Sequence, residues 1–141
     1  MNLYAESSAV LAWLLGEPEG ADVRERLSQA AIVLASDLTL VECDRVLIRA
    51  VSTGRISEAA AADRRGRLIQ TAEHWAVLRI GEEIVERARR ALPLEPIRTL
   101  DALHLAAALH ARALVPETRL LSLDERVRAI GAELGFELLP A

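Results

Sequence analysis

The chain has 141 residues, a length that suits one domain with a substantial core and leaves little room for a second. Hydrophobic residues make up 52%, which excludes a disordered chain, and aromatic residues only 3%, so the core must consist of Leu, Val, Ile and Ala. The 17 basic side chains, all of them Arg, are outnumbered by 21 acidic ones, which argues against a protein that coats nucleic acid non-specifically.

Short apolar runs and helix signals alternate along the chain. In chain order we predict a strand over 2–5, helices over 7–15 and 21–29, and a strand over 31–35. Helices over 36–51 and 58–73 follow, then a strand over 74–80 and a helix from 82 that ends before Pro93. The rest of the chain is predicted to contain a helix over 98–113, apolar strand residues on either side of a turn at Pro116 and Glu117, a helix over 124–135, and a strand over 136–139. Ser36 and Ser57 are N-cap residue types at helix starts, and Gly54 lies at an expected helix end. The alternation predicts an α/β fold in a single domain over 1–141, with a central parallel sheet and helices on both faces.

Neither a membrane segment nor a signal peptide is evident. No apolar run approaches the roughly 20 residues that a membrane-spanning helix needs. The first residues lack a basic region followed by an apolar stretch and a cleavage site. Cys43 is the sole cysteine, so no internal disulfide can form, as is usual in a reducing compartment. We therefore expect a cytoplasmic protein with no membrane contact.

Three carboxylates lie at predicted strand-to-helix junctions. Glu6 directly follows the first strand, Asp101 falls in the first helical turn after the plausible cap Thr99, and Asp124 follows Ser122 in an S-x-x-E capping pattern. Each could serve only to complement a helix N-terminus, a contribution of roughly 0.3–1 kcal/mol. In a doubly wound sheet, however, such junctions meet at the carboxyl ends of the strands, where ligands bind.

A fourth carboxylate, Glu42, interrupts an apolar stretch in the middle of a predicted helix. A surface ion pair with Arg45 would explain it, at a few tenths of a kcal/mol. Taken with the three junction acids it suggests another role, because clustered carboxylates repel one another and a divalent cation removes the repulsion. Hard oxygen ligands select Mg²⁺ or Mn²⁺, and the lack of Cys or paired His ligands makes zinc a poor fit.

Four segments resemble the PIN-domain nucleases, most closely the VapC-like toxins of type II (VapBC) toxin–antitoxin pairs. They are LYAESSAV at the start, LTLVECDRVLIRA in the middle, IRTLDALHLAAAL later and RLLSLDERV near the end, in matching order and spacing. The resemblance covers essentially the whole chain, and RTLDALHLA is its most specific part. It implies a PIN-like fold, with a parallel sheet of about five strands covered by helices, and a metal-dependent endoribonuclease that acts on single-stranded regions of RNA.

The resemblance also implies which residues form the site. The acidic quartet of the family, expected to hold Mg²⁺ or Mn²⁺ and to activate or orient water, would fall on Glu6, Glu42, Asp101 and Asp124. Two hydroxyls that accompany the quartet are matched by Ser8 and by Ser122, where Thr is more usual.

One residue departs from the family pattern. The first acid of the quartet is usually Asp, and here it is Glu6, whose extra methylene moves the carboxylate by about 1.5 Å. Mg²⁺ requires near-ideal octahedral geometry. Either the backbone recedes, or Glu6 reaches the ion through a water, or the site favours a more tolerant ion such as Mn²⁺.

Two further residues lie close to the predicted site. Arg98 precedes the helix that carries Asp101, and it could contact a phosphate or pair with a site acid. His104 is three residues after Asp101 and shares its helix face, so we expect a packing or hydrogen-bonding role for it rather than that of a base.

The resemblance implies partners as well. They are an RNA substrate, a second copy of the chain in a homodimer, and a small VapB-like antitoxin whose C-terminal segment lies over the active site. One alternative is a PIN-like module that binds RNA or protein but cleaves poorly, which the unusual Glu6 favours. A second is a PIN nuclease in RNA processing outside any toxin pair. An unrelated phosphotransfer domain is disfavoured because the chain contains no Lys.

Overall fold

The computed structural model describes residues 1–141, and its centre is one five-stranded parallel sheet in the order β3-β2-β1-β4-β5. The strands are β1 (Asn2–Ala5), β2 (Ile32–Ser36), β3 (Ala76–Leu78), β4 (Thr118–Leu121) and β5 (Leu138–Leu139). The helices are α1 (Ser7–Leu14), α2 (Gly20–Gln29), α3 (Asp37–Ser52), α4 (Glu58–Ala72), α5 (Glu82–Ala88), α6 (Thr99–Leu114) and α7 (Glu125–Glu133). The predicted α/β class and the parallel sheet of about five strands covered by helices are confirmed.

Alternate residues of the strands point to opposite faces of the sheet, as the two-residue period of a strand requires. Tyr4, Leu34 and Leu120 pack with apolar residues of α5, α6 and α7. Leu3 and Leu121 face the other way and join apolar residues of α1 and α2, while further strand residues on that side pack with α3 and α4. Helices therefore cover both faces, which explains why the buried residues of the inner strands β1, β2 and β4 are mostly apolar.

The predicted elements are present, and their ends differ in several places. The strand predicted over 74–80 contains only Ala76–Leu78, because this edge strand pairs with β2 alone and over three residues. The helix predicted to run from 82 nearly to Pro93 ends at Ala88. The final strand shortens from 136–139 to Leu138–Leu139.

Two predicted helix starts need correction. Arg98, and not Thr99, occupies the N-cap position of α6. Asp124 is the N-cap of α7 rather than a first-turn acid behind Ser122, and its Oδ1 accepts hydrogen bonds from the backbone N–H groups of Arg126 and Val127 at 2.9 and 3.0 Å. Because α7 begins at Glu125, Asp124 occupies the N-cap position, and Ser122 lies two residues too early to take it.

No helix of the protein has the length and apolar character needed to cross a membrane.

Candidate metal centre

The candidate site lies where the central strand β1 and its neighbour β4 end. The chain leaves β1 toward β2 on one side, and β4 lies on the other, so the strand order reverses at β1 and opens a crevice beyond the carboxyl ends. Glu6 is the first residue after β1, and Ser122 is the first after β4. The predicted placement of Glu6 at this edge follows directly from the parallel sheet.

Glu6 is buried, at 3% exposure, and both of its carboxylate oxygens are engaged. Oε2 accepts hydrogen bonds from the Ser8 backbone N–H at 3.2 Å, from the Ser8 hydroxyl and from the Ser122 hydroxyl at 2.8 Å. Oε1 accepts one from the Ser7 hydroxyl at 2.8 Å. Glu6 therefore caps α1 and belongs to the site at the same time, so the two interpretations of this residue are compatible.

The Ser8 hydroxyl joins Glu6 to the start of α7. Besides donating to Glu6, it accepts hydrogen bonds from the backbone N–H groups of Leu123 and Asp124 at 2.9 and 3.1 Å. Ser122 does similar work, because its hydroxyl donates to Glu6 and accepts from the Asp124 N–H at 3.2 Å. The two predicted hydroxyls thus hold one oxygen of Glu6 in place and leave the other directed into the crevice.

Glu42 reaches the same point from α3. The Ser7 hydroxyl lies 3.1 Å from Glu42 Oε1 and 2.8 Å from Glu6 Oε1, so its single proton can be donated to either carboxylate. His104 Nε2 makes a hydrogen bond with Glu42 Oε1 and lies 3.8 Å from Glu6 Oε1. One ligand atom each from Glu6, Glu42 and His104 lies within 4.8 Å of the others.

The charges of this group are mutually stabilising. The hydrogen bond with His104 lowers the pKa of Glu42, and this outweighs the opposing effect of burial. Burial disfavours a charged His104 imidazole, but the hydrogen bond with Glu42 and the charges of Glu6, Glu42 and Asp101 outweigh burial and raise its pKa. His104 is 2% exposed, and its Nδ1 has no hydrogen-bond partner. The imidazole and the two carboxylates therefore favour one another's charged forms.

Asp101 and Asp124 lie beside this group rather than inside it. Asp101, in the first turn of α6, is partly exposed, and burial followed by the charge of Asp124 raises its pKa. The nearby charges of His104 and Arg98 act in the opposite direction. Asp124 uses one oxygen to cap α7. Of the predicted quartet, the structure places Glu6 and Glu42 in tight contact and leaves the two aspartates at the rim.

His104 belongs to the tight group, although sequence reasoning left it outside the ligand set. Its hydrogen bond with Glu42 agrees with the expected hydrogen-bonding role. The available signal was its spacing from Asp101, which puts both side chains on one face of α6. The spacing could not show that α3 passes close enough for Glu42 to meet this face.

The donor set fits a divalent cation. Glu6 and Glu42 offer hard carboxylate oxygens. Hydrogen bonds to Glu6 Oε2 and from the Ser7 hydroxyl to Oε1 already orient Oε1 toward Glu42 and His104. Carboxylates suit Mg²⁺ and Mn²⁺, and a single imidazole nitrogen is better tolerated by Mn²⁺ than by Mg²⁺. The side chain of Glu6 reaches the group despite its extra methylene, since its Oε1 is one of the three clustered ligand atoms.

Comparison with known proteins gives a consistent assignment. The family model described as PIN domain matches residues 3–133. Similar solved structures include Mycobacterium tuberculosis VapC20, a Sarcin-Ricin loop cleaving toxin, with 16% identity, a TM-score of 0.64, and 92% of this chain and 95% of that one covered. Rickettsia felis VapBC2, bound to a DNA fragment from its promoter, has 10% identity and a TM-score of 0.66, and the match covers 98% of this chain and 97% of that one. Pyrobaculum aerophilum PAE2754 has 18% identity and a TM-score of 0.58, and the match covers 92% of this chain and 78% of that one.

No curated protein matches the sequence. At these identities the solved structures establish the fold alone, and the family model spans nearly the whole chain. The chain belongs to the PIN-domain family.

Proposed function

We propose that this protein is a divalent-metal-dependent endoribonuclease, formed by a single PIN domain over 1–141, and that it is the toxin of a toxin–antitoxin pair. The observation that carries the proposal is the buried Glu6, whose one oxygen is held by hydroxyls while the other faces Glu42 and His104. Family membership and the similarity to VapC20, a toxin that cleaves the Sarcin-Ricin loop, support RNA as the substrate.

The proposed ion is Mg²⁺ or Mn²⁺, held by Glu6 and Glu42 with Asp101 and Asp124 at the rim. When bound, it would supply a water activated near neutral pH and would neutralise charge on the phosphoryl oxygens. Asp101 supports this role, because burial and the charge of Asp124 disfavour its ionised form until a cation offsets them.

The protein side chains would prepare the centre before the substrate arrives. Ser8 and Ser122 hold Glu6, and His104 holds Glu42, so little reorganisation is needed when the ion binds. Glu42, which is partly exposed, is the group best placed to orient the attacking water. Arg98 lies close enough to Asp101 to influence its pKa, which supports a role for Arg98 in attracting the phosphate of the substrate.

The proposed partners are a VapB-like antitoxin and a second copy of the chain. The similarity to VapBC2, a complex of toxin and antitoxin on promoter DNA, supports the antitoxin. Co-expression with the protein encoded next to this chain, followed by mass measurement of the purified complex, tests both partners. A free monomer that does not associate with any product of a neighbouring reading frame would favour a PIN nuclease outside a toxin pair.

A catalytically weak PIN module is the second candidate, and one observation favours it. His104 already neutralises Glu42, so an imidazolium could replace the ion and leave a stable but inactive centre. Isothermal titration with Mn²⁺ and Mg²⁺ separates the two: a nuclease binds at least one of the ions, and the inactive module binds neither.

Cleavage of single-stranded RNA by the purified protein is the direct test. We expect cleavage in Mn²⁺ or Mg²⁺, none in chelator, and none by Asp101→Asn. Glu133→Gln is the matched control, because Glu133 is an exposed acid at the far end of α7 and forms no ion pair. Cleavage that persists in chelator, or in Asp101→Asn, would refute the proposed nuclease.

A further inference from the structure

A cleft of about 430 Å³ opens beside the candidate metal centre and shares Arg98 and Asp101 with it. It lies between the loop over 89–98 and α7. Its lining includes the apolar side chains of Leu94, Pro96 and Ile97, the guanidinium groups of Arg98 and Arg126, and the carboxylate of Asp101. The cleft therefore has an apolar wall, two cations and one edge shared with the site.

The two arginines that line the cleft have no partner within the protein. Both are exposed, and neither guanidinium makes an ion pair or a side-chain hydrogen bond. Arg128, two residues after Arg126 in α7, differs: it donates to the carbonyl oxygens of Ser122 and Pro140 at 2.9 and 2.7 Å. Arg98 and Arg126 thus supply positive charge to the cleft of a protein whose net charge is −4.

Hydrogen bonds within the loop fix the conformation of the apolar wall. The Glu95 carboxylate accepts hydrogen bonds from the backbone N–H groups of Leu92 and Ile97 at 3.0 and 2.8 Å. Leu94, at the rim, has a φ of 64° and is 57% exposed. The left-handed region is unfavourable for leucine, and Leu94 gains no compensating stabilisation from burial because it is not part of the core. Exposed strain of this kind is typical of residues held for contact with a ligand.

We propose that this cleft binds one nucleotide of single-stranded RNA next to the bond that is cut. A backbone phosphate would lie between Arg98 and Arg126, whose planar guanidinium groups suit phosphate oxygens. The base would pack on Leu94, Pro96 and Ile97 without hydrogen-bond readout, so the cleft tolerates any base. The substrate class rests on the proposed ribonuclease function, and Asp101 connects the cleft with the site.

Asp101 makes the two arginines necessary. Its carboxylate repels an approaching phosphate, and the charge of Asp124 adds to that repulsion. The guanidinium groups of Arg98 and Arg126, which line the same cleft and form no ion pair, offset that repulsion. Removal of either should therefore weaken RNA binding more than removal of an exposed arginine elsewhere.

Binding of a short fluorescein-labelled single-stranded RNA, measured by fluorescence anisotropy in chelator, tests the cleft without cleavage. We expect Arg98→Gln and Arg126→Gln each to raise the Kd about tenfold, and each lost phosphate contact to reduce the slope of log Kd against log salt by about 0.7. Arg55→Gln is the control. Arg55 is exposed, has no ion pair and follows α3, whose 16 residues place it about 24 Å from the site edge.

Leu94→Gly tests the apolar wall. Glycine relieves the left-handed strain and removes the contact with the base, so we expect the Tm to be maintained while the Kd rises about threefold. A side chain with a purely structural role would change in the opposite way, with a lower Tm and an unchanged Kd. Wild-type RNA affinity in Leu94→Gly would overturn the base-binding wall and reduce the cleft to a general anion attractor.

The fate of the cleft and that of the nuclease can be distinguished. If the double variant Arg98→Gln/Arg126→Gln binds RNA as tightly as Arg55→Gln does, the proposed role of the cleft is wrong, even if the wild type cleaves RNA. Arginine-dependent binding by a wild-type protein that cleaves no RNA in Mn²⁺ or Mg²⁺ would support the cleft and refute the nuclease. Equal loss of binding to polyglutamate would also overturn the nucleotide assignment.

Discussion

The two halves of the candidate centre are built on opposite principles. Glu6 and Glu42 are surrounded by hydroxyls and an imidazole, and the pKa of Glu42 is lowered because His104 stabilises its charge. Asp101 has no such partner, and burial with the neighbouring Asp124 raises its pKa. The charges of Glu6 and Glu42 are therefore stabilised without an ion, whereas an ion would stabilise the charge of Asp101.

A cation would contribute differently to the two halves. The half with Glu6 and Glu42 fixes geometry, because its charges are already offset by hydrogen bonds. In the half with Asp101 and Asp124, His104 and Arg98 offset the repulsion only in part, and a cation would remove the rest. Substitutions in the two halves should therefore affect stability with opposite signs, although both impair activity.

The largest expected effect is on activity. Glu6→Gln and Asp101→Asn should each reduce kcat/KM for RNA by about 100-fold or more, since each removes a charge that the transition state requires. In chelator, Glu6→Gln should unfold more easily, because the amide NH₂ group cannot accept the hydrogen bonds that one carboxylate oxygen now accepts, whereas Asp101→Asn should raise the Tm. Urea and thermal unfolding measure the difference. A gain of stability in both variants would remove the contrast between the halves.

Metal binding should stabilise the protein, in part because the ion relieves the repulsion at Asp101. A divalent ion at 100 times its Kd adds about 2.7 kcal/mol to the free energy of unfolding. We expect a rise in Tm in Mn²⁺ for the wild type and a smaller rise for Asp101→Asn, measured by calorimetry. Glu133→Gln, at the far end of α7, should behave as the wild type does. An equal rise for Asp101→Asn would show that this residue contributes nothing to ion binding.

His104→Ala should destabilise the metal-free protein by about 2 kcal/mol, because Glu42 loses its hydrogen bond and a buried side chain leaves a cavity. Urea unfolding in chelator measures the loss. Glu42→Gln in the same background separates the two causes: it should add little further destabilisation, since the charge that lacked a partner is gone. Full additivity of the two changes would contradict direct coupling of the residues.

The smallest effect is the pH dependence of the metal-free protein. The pKa of His104 is raised above its ordinary 6.5, so its contribution to stability is complete below pH 6.5 and is lost as the pH rises through the folded-state pKa. The pKa of Glu42 is lowered below 4.5, so its contribution is complete above pH 4.5 and is lost as the pH falls through the folded-state pKa.

Both contributions are present together between pH 4.5 and 6.5. Stability from this pair should be greatest in that window, and His104→Gln should flatten the profile measured by urea unfolding in chelator. A profile for His104→Gln that matches the wild type would mean that other groups set the pH dependence.

The sequence was sufficient for the fold because each element carries its own signals. The apolar run over 2–5 ends at Glu6, and the alternation of such runs with helices allows little besides a helix-covered parallel sheet. Element ends were less predictable, because they depend on partners elsewhere. The strand around Ala76–Leu78 is short since only β2 pairs with it, and Asp124 replaces Ser122 as the cap of α7 because Ser122 is directed toward Glu6.

The sequence by itself determined the chain order of strands and helices and the positions of the acids that border them, since both follow from local pattern. Only the tertiary structure decided which side chains meet. The contact between Glu42 and His104 joins residues 62 positions apart, and that between Glu6 and Ser122 joins residues 116 apart. The hydrogen-bond distances in these contacts depend, to within a fraction of an ångström, on how the helices cross the sheet. No local pattern in the chain encodes that crossing.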